Sequence, residues 1–205
     1  MRVPFPIERA DGGGARTFIR GLGTLVLMGI VMVVVFSSTS CVPTGHVGVV
    51  SMFGRVTGRM LTEGIHLVNP AAKVTGLSIK TQEVKEHASE PSKEGVIMGL
   101  EASLLYHLDP TRAAEVFRQI GPNYAEVLLQ PTFRSAMRAI TAGNPAASLY
   151  SDARESIARL IQEDVARQVT PRGIIVENVL LRDLQLPDTL KRAIEAKQQA
   201  QQEAQ

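Results

Sequence analysis

The side chains best suited to chemistry in this chain are four histidines, His46, His66, His87 and His107. Histidines that hold a metal usually stand at a short, regular spacing from another histidine, a cysteine or a carboxylate. None of the four has another histidine or a cysteine at the spacing of a metal-binding helix. We therefore expect structural or surface roles for all four, and no metal site.

The single cysteine, Cys41, cannot form an internal disulfide, and one cysteine excludes the zinc ribbons and fingers that need several. It directly follows a long apolar segment, which places it too close to a membrane for a catalytic thiol. The preceding Ser-Thr-Ser loosely resembles a lipoprotein cleavage site, although a large aliphatic residue is usual at the position of Ser38. Lipidation of Cys41 after cleavage is therefore an open alternative to a retained anchor.

Sequence motifs for nucleotide binding and covalent catalysis are also missing. The glycine run at positions 12–14 neither follows a strand nor opens a dinucleotide-binding helix, and it is typical of a flexible tail. The chain has no Walker pattern and no Gly-x-Ser-x-Gly elbow. Its carboxylates are mixed one-for-one with basic residues, which is typical of solvated faces. We expect no catalytic residues, no cofactor and no enzymatic activity.

The net charge of +2 lies entirely in the first twenty residues, which have four arginines and two acidic residues. The remainder has 18 of the 22 basic and 18 of the 20 acidic residues. Nucleic-acid binding and polybasic membrane binding both depend on clustered Lys and Arg. We expect neither of the body, and no nucleic acid among the partners.

An apolar segment without any charged residue separates Arg20 from Arg55. Residues 21–40 span about 30 Å as a helix, the thickness of a bilayer core. They are predicted to form a single transmembrane anchor, against the alternatives of a buried core helix or a cleaved signal peptide. The predicted anchor residues are Gly21, Leu22, Leu25, Val26, Leu27, Ile30, Val33, Val34 and Phe36.

The orientation of this anchor follows from the arginines on either side of it. Four arginines precede it, and only Arg55 and Arg59 lie within twenty residues beyond it. Basic flanks stay in the cytoplasm. We expect residues 1–20 to form a cytoplasmic basic tail and the body to lie on the opposite, periplasmic or equivalent, side.

The first part of the body, residues 44–109, reads as β-rich. Short strands are predicted over 45–53, 64–70 and 73–86, and residues 90–95 read as a turn. The clearest strand is 96–108, where apolar residues alternate with period two. Its predicted inner face consists of Val96, Met98, Leu100, Ala102, Leu104, Tyr106 and Leu108.

Helices are predicted next, over 110–120 with Asp109 as N-cap, over about 123–142, and over 151–169. Pro131 should kink or split the second of these, because it removes a backbone donor. The third has an apolar stripe of Ile157, Leu160, Ile161, Val165 and Val169. Residues 173–186 return to strand character.

A final polar helix is predicted from residue 187 to 205. Its candidate seam repeats with spacings of four and three residues, as in a coiled coil, so we expect it to associate with other helices. The predicted oligomerisation residues are Leu186, Leu190, Ala193, Ile194, Lys197, Ala200 and Ala204.

The order of these elements resembles the prohibitins, within the stomatin–prohibitin–flotillin (SPFH, band 7) family. The resemblance covers about residues 42–205, and its most specific parts are EGIHLVNP at 63–70 and AIEAKQQAQQEAQ at 193–205. Residues 121–138, with their internal proline, also fit the pattern. Relatives continue the coiled coil much further, whereas this chain stops at its start.

This resemblance implies an α+β fold. It implies an N-terminal transmembrane helix, then an SPFH/band 7 domain over 42–186 with a β-rich first half and an α/β second half, then a coiled-coil helix over 187–205. It also implies a non-enzymatic scaffold that forms large homo- or hetero-oligomeric rings or cages, contacts membrane lipid and regulates a membrane-bound AAA protease. The alternatives are a stomatin-like lipid-domain organiser without a protease partner and a membrane-associated hydrolase component.

Overall fold

The structure, a computed structural model, describes residues 13–146, 148, 154–185 and 192. It begins with helix α1 (Gly13–Ser37), which leads directly into the body. The first twelve residues of the expected tail lie outside the described residues. The expected coiled-coil helix over 187–205 also lies outside the described residues, except for residue 192. All its predicted seam residues lie outside them.

The first half of the body contains two small antiparallel sheets. Strand β1 (Thr39–Val42) pairs with β4 (Gly64–Leu67). Strand β2 (His46–Met52) lies between β3 (Arg55–Leu61) and β5 (Ala72–Ser78). A small core is buried between these strands, made of Val42, Val50, Leu61 and Val68.

The second half is built on one long sheet. Strands β6 (Gln82–Pro91), β7 (Ile97–Leu108) and β8 (Ile174–Gln185) are antiparallel in the order β6-β7-β8. The predicted period-two face of β7 is confirmed from Met98 to Leu108, where each of its apolar residues is at most 3% exposed. Val96, also predicted on this face, precedes the strand and is half-buried. The predicted strand over 73–86 is instead two strands, because the chain leaves one sheet and enters the other between Ser78 and Gln82.

Helical segments follow β7. Asp109 accepts a hydrogen bond from the backbone N–H of Thr111, as the N-cap prediction requires, and a 3₁₀ turn (Pro110–Arg112) leads into α2 (Ala113–Gln119). A π-helical turn (Ala125–Leu129) then precedes α3 (Gln130–Gly143). Pro131 lies in the first turn of α3. The π-helical turn runs into α3 without a gap, so the predicted split takes the form of a change of helix type just before the proline.

Helices α3 and α4 (Arg154–Val169) cover the inner face of the long sheet. Four of the five predicted stripe residues of α4 are buried, Ile157, Ile161, Val165 and Val169. Leu160 was predicted wrongly, since it is 45% exposed. Residues four apart advance by about 40° around a helix, so the buried stripe turns steadily away from the side on which Leu160 lies.

Two glutamates contradict the expectation that the carboxylates lie on solvated faces. Glu86 and Glu90 point from β6 toward α3 and are only 5% and 1% exposed. Glu86 accepts hydrogen bonds from Arg134 and Glu90 from Arg138, at distances down to 2.9 Å. Glu90, predicted in a turn, therefore belongs to a strand. Spacings of four on both elements place the two ion pairs in one row that fastens α3 to β6.

Candidate membrane-attachment site

Helix α1 presents apolar side chains outward along its described length. All nine predicted anchor residues lie in this helix. Those whose side chains are described are between 47% and 71% exposed, namely Leu25, Leu27, Ile30, Val33, Val34 and Phe36. The helix is therefore not part of the core, and an apolar surface of this size is typical of a lipid or partner contact. Among the described residues, no helix meets the combined length and hydropathy required of a bilayer span.

The C-terminal end of α1 is closed by hydroxyl groups. Ser37 and Ser38 both donate to the carbonyl of Val34, at 3.0 and 2.7 Å, and Thr39 donates to Val35 at 3.2 Å. The same two carbonyls also accept backbone hydrogen bonds from Ser38, at 3.0 and 3.3 Å, so the last turn of the helix is held by backbone and hydroxyl donors together. The apolar helix thus ends sharply, and β1 begins at Thr39.

The ladder of β1 and β4 continues the apolar surface onto the body. Thr39 lies opposite Leu67 and Cys41 opposite Ile65, so these four side chains share one face. Ile65 is 76% and Leu67 is 74% exposed, and the thiol of Cys41 is free and exposed. A backbone hydrogen bond of 2.7 Å from Val68 to Ser38 holds this face against the end of α1. Lipidation of Cys41 remains a prediction.

The hairpin between β2 and β3 exposes a third large apolar residue. Phe53 and Gly54 both have positive φ, 48° and 80°, as in a type I′ turn. Such turns favour Asn-Gly, whereas Phe53 is a bulky residue and 89% exposed. Sequence reasoning missed this residue together with Ile65 and Leu67. The Phe-Gly pair at the end of a strand was the available signal, but it was read only as a strand end.

Short hydrogen bonds hold His66, on β4 of the ladder with β1, and His107, on β7 of the long sheet. His66 Nε2 is 2.7 Å from the carbonyl of Thr62, and His107 Nδ1 is 2.6 Å from Glu177 Oε1. Thr81 also donates to Glu177, at 2.9 Å. In the part of the chain that the structure describes, no group of three or more His, Cys, Asp or Glu side chains is arranged to hold a metal.

The outer face of the long sheet is crossed by a polar network. Arg182, at a bulge of β8, donates to Ser103 at 2.6 Å and to Glu83 at 2.7 Å. The hydrogen bond from Ser103, helped by the charges of Lys85 and Arg182, holds the pKa of Glu83 below its usual value. This network joins three strands and leaves the face polar, in contrast to the apolar end of the body near α1.

A groove of about 770 Å³ lies between α4 and β8, at the edge of the long sheet. Its lining mixes polar and apolar side chains in equal measure and includes Arg154 and Gln162. Arg154 donates to the carbonyls of Leu181 and Arg182, at 2.6 and 2.8 Å, and Gln162 to that of Glu177, at 2.9 Å. These side chains satisfy edge carbonyls that would otherwise be open to strand pairing.

Comparison with known proteins connects this architecture to one family. The model of the SPFH domain / Band 7 family matches residues 40–205, which begin at the second residue of β1. Similar proteins include Prohibitin-2 of Saccharomyces cerevisiae (27% identical over 97% of this chain and 66% of the relative) and Prohibitin-2 of Colletotrichum higginsianum (28%, 94% and 62%). Another is "Prohibitin-7, mitochondrial" of Arabidopsis thaliana (26%, 97% and 71%).

The chain thus spans about two thirds of the length of the relatives it matches. The match nevertheless includes every described strand and helix of the body, and it begins where the apolar helix has just ended. This chain belongs to the SPFH domain / Band 7 family.

Proposed function

We propose that this chain is a membrane-anchored scaffold of the prohibitin type. The observation that carries the proposal is the junction at residues 37–39, where an outward-facing apolar helix passes directly into a band 7 body. Burying exposed apolar surface yields about 25 cal/mol per Å². Lipid supplies that burial for α1 without any partner protein, and the body needs no reactive group to serve as a scaffold.

The anchor proposal includes an orientation, with the N-terminus in the cytoplasm and the body on the other side. A reporter enzyme that is active only outside the cytoplasm, fused after Gln205, should be active. The same reporter fused before Met1 should be inactive. The reversed pattern would contradict the proposed orientation.

Assembly is the second part of the proposal, and copies of this chain or related prohibitin-type chains are the proposed partners. The seam over 186–204 would bury its apolar residues only between neighbouring helices. Crosslinking of the membrane-extracted protein should therefore give species well beyond dimers. Leu190→Asp, on the seam, should shorten this ladder, and Gln199→Asp, off the seam, should not. A monomer in the unaltered protein would refute the assembly.

Regulation of a membrane-bound AAA protease is the proposed role of the assembled scaffold. Purification in mild detergent should recover such a protease with the unaltered chain, and less of it with Leu190→Asp. Enrichment of particular lipids without any protease would favour the stomatin-like role instead.

A further inference from the structure

A shallow depression of about 570 Å³ lies between helix α2 and the hairpin that joins β2 to β3. Gly54, Arg55 and Val56 line it from the hairpin, and Phe117 and Arg118 line it from α2. Volumes of about 300–1,000 Å³ are typical of ligand sites. The depression contains no residue of the proposed anchor or of the predicted seam, so the scaffold role does not account for it.

The two arginines of this depression differ from the arginines that hold the fold together. Five arginines of the body pair with a carboxylate, namely Arg112, Arg134, Arg138, Arg167 and Arg182. Among the described residues, neither Arg55 nor Arg118 forms an ion pair or a side-chain hydrogen bond. Both are exposed, so two guanidinium groups at one depression are open to a ligand.

The two sides of the depression are held in place by the main core. Arg55 is the first residue of β3 and lies opposite Met52 across the tight turn. Arg118 lies in the last turn of α2, a helix that buries Val116 in the core. Val56 and Phe117, each next to one of the arginines, are half-buried and pack against the same core. The depression therefore combines two cations with two apolar side chains in a fixed arrangement.

This combination selects the chemistry of the ligand. A guanidinium group binds a carboxylate through two parallel hydrogen bonds. Covering the half-buried Val56 and Phe117 with an apolar group removes more apolar surface from water. A small inorganic anion would satisfy the arginines only, and a neutral apolar group would satisfy only the apolar side chains. A segment in which acidic and apolar residues alternate satisfies both.

We propose that this depression binds an acidic, apolar segment of a partner protein. Carboxylates of the segment pair with Arg55 and Arg118, and an apolar side chain packs on Val56 and Phe117. Phe53, beside Gly54 and 89% exposed, adds a further apolar surface for the segment. The inference goes beyond the scaffold role, because it gives the scaffold a place to hold another protein and requires neither the anchor nor the seam.

Three fluorescein-labelled decapeptides test this chemistry on the full-length protein in a neutral maltoside detergent. One alternates Glu and Leu, the second alternates Gln and Leu, and the third alternates Glu and Ser. Fluorescence anisotropy should show saturable binding of the Glu–Leu peptide. The other two should bind at least about tenfold more weakly, since each lacks one of the two contacts. Equal binding of the Glu–Leu and Gln–Leu peptides, or no binding of any peptide, would overturn the proposal.

Arg118→Gln should weaken binding of the Glu–Leu peptide by about tenfold, because one charge-assisted contact is lost. Arg159→Gln is the matched control, since Arg159 is also exposed and has no ion pair among the described residues, but lines the groove between α4 and β8. Both are surface substitutions, which leave stability nearly unchanged. Equal losses in the two variants would show that net charge alone attracts the peptide, and would overturn the site.

A charge reversal gives a result that neither unfolding nor a structural role of the arginines would produce. Arg55→Glu combined with Arg118→Glu should lose the Glu–Leu peptide and bind a peptide that alternates Lys and Leu. A double variant that binds neither peptide would overturn the assignment of these arginines. Short-chain lipids test the competing ligand: dihexanoyl phosphatidylglycerol should displace the Glu–Leu peptide no better than dihexanoyl phosphatidylcholine. Preferential displacement by phosphatidylglycerol would assign the arginines to lipid phosphates and overturn the proposal.

Discussion

Replacing Arg134 by alanine is expected to destabilise the body more than the exposure of this arginine suggests. Its side chain is 51% exposed, but its partner Glu86 is only 4% exposed. Arg134 donates to both carboxylate oxygens, from Nε at 3.2 Å and from Nη2 at 3.2 and 2.9 Å. The substitution would leave a buried carboxylate on β6 without the charge that balances it.

The magnitude follows from how much of the pair water can reach. Removing one partner of a fully buried ion pair costs about 3–5 kcal/mol. Because the guanidinium of Arg134 is half in water, solvent can reach the position it leaves, and the cost falls to about 2 kcal/mol. For a protein of this size, that lowers the melting temperature by about 4–8 °C.

Thermal unfolding in mild detergent, followed by far-UV circular dichroism, measures this shift. Arg167→Ala is a matched control, because its pair with Asp164 is 3.4 Å long and its side chain is 74% exposed. Arg167→Ala should lower the free energy of unfolding by less than about 0.5 kcal/mol. Glu86→Gln combined with Arg134→Ala should cost clearly less than the sum of the two single changes. Equal shifts for Arg134→Ala and Arg167→Ala, or strict additivity in the cycle, would refute the reasoning.

Three further changes test other parts of the fold. Gly48→Ala should lower the free energy of unfolding by about 1–3 kcal/mol, because the new Cβ would lie 2.9 Å from the side chains of Val42 and Val74. Gly76→Ala is the control and should be close to neutral in the same melting assay, because no atom lies nearer than 4.0 Å to its Cβ position. Asp109→Ala should cost about 1 kcal/mol of unfolding free energy in urea titrations, since it removes the N-cap of the first helical turn, and Asp109→Asn should restore most of it. Burial raises the pKa of Tyr106 from 10.0 to about 12, so its contribution to stability is fully present below pH 10 and is lost as the pH rises from 10 through about 12. Denaturant midpoints measured across that window should therefore decline less for Tyr106→Phe than for the unaltered protein. An equal decline would contradict the assignment.

Much of the body could be predicted from local patterns. The alternation along β7 and the Asp-Pro start of the helical region were read correctly, because period and capping are properties of neighbouring residues. The strands β1 and β3 were missed, since β3 is mostly exposed on both faces and has no alternation to detect. The buried Glu86 and Glu90 were missed as well, because their arginines lie 48 residues away in the sequence.

The apolar helix, the main elements of the body and the family resemblance can all be predicted from the sequence. Those features depend on composition, periodicity and order along the chain. Which side chains of the body face outward beside that helix depends instead on how the strands pair. A strand pattern shows that Ile65 and Leu67 share a face, but which face stays uncovered depends on the pairing of β1 with β4. The position of Phe53 depends in the same way on β2 returning along β5, a contact between residues about twenty positions apart.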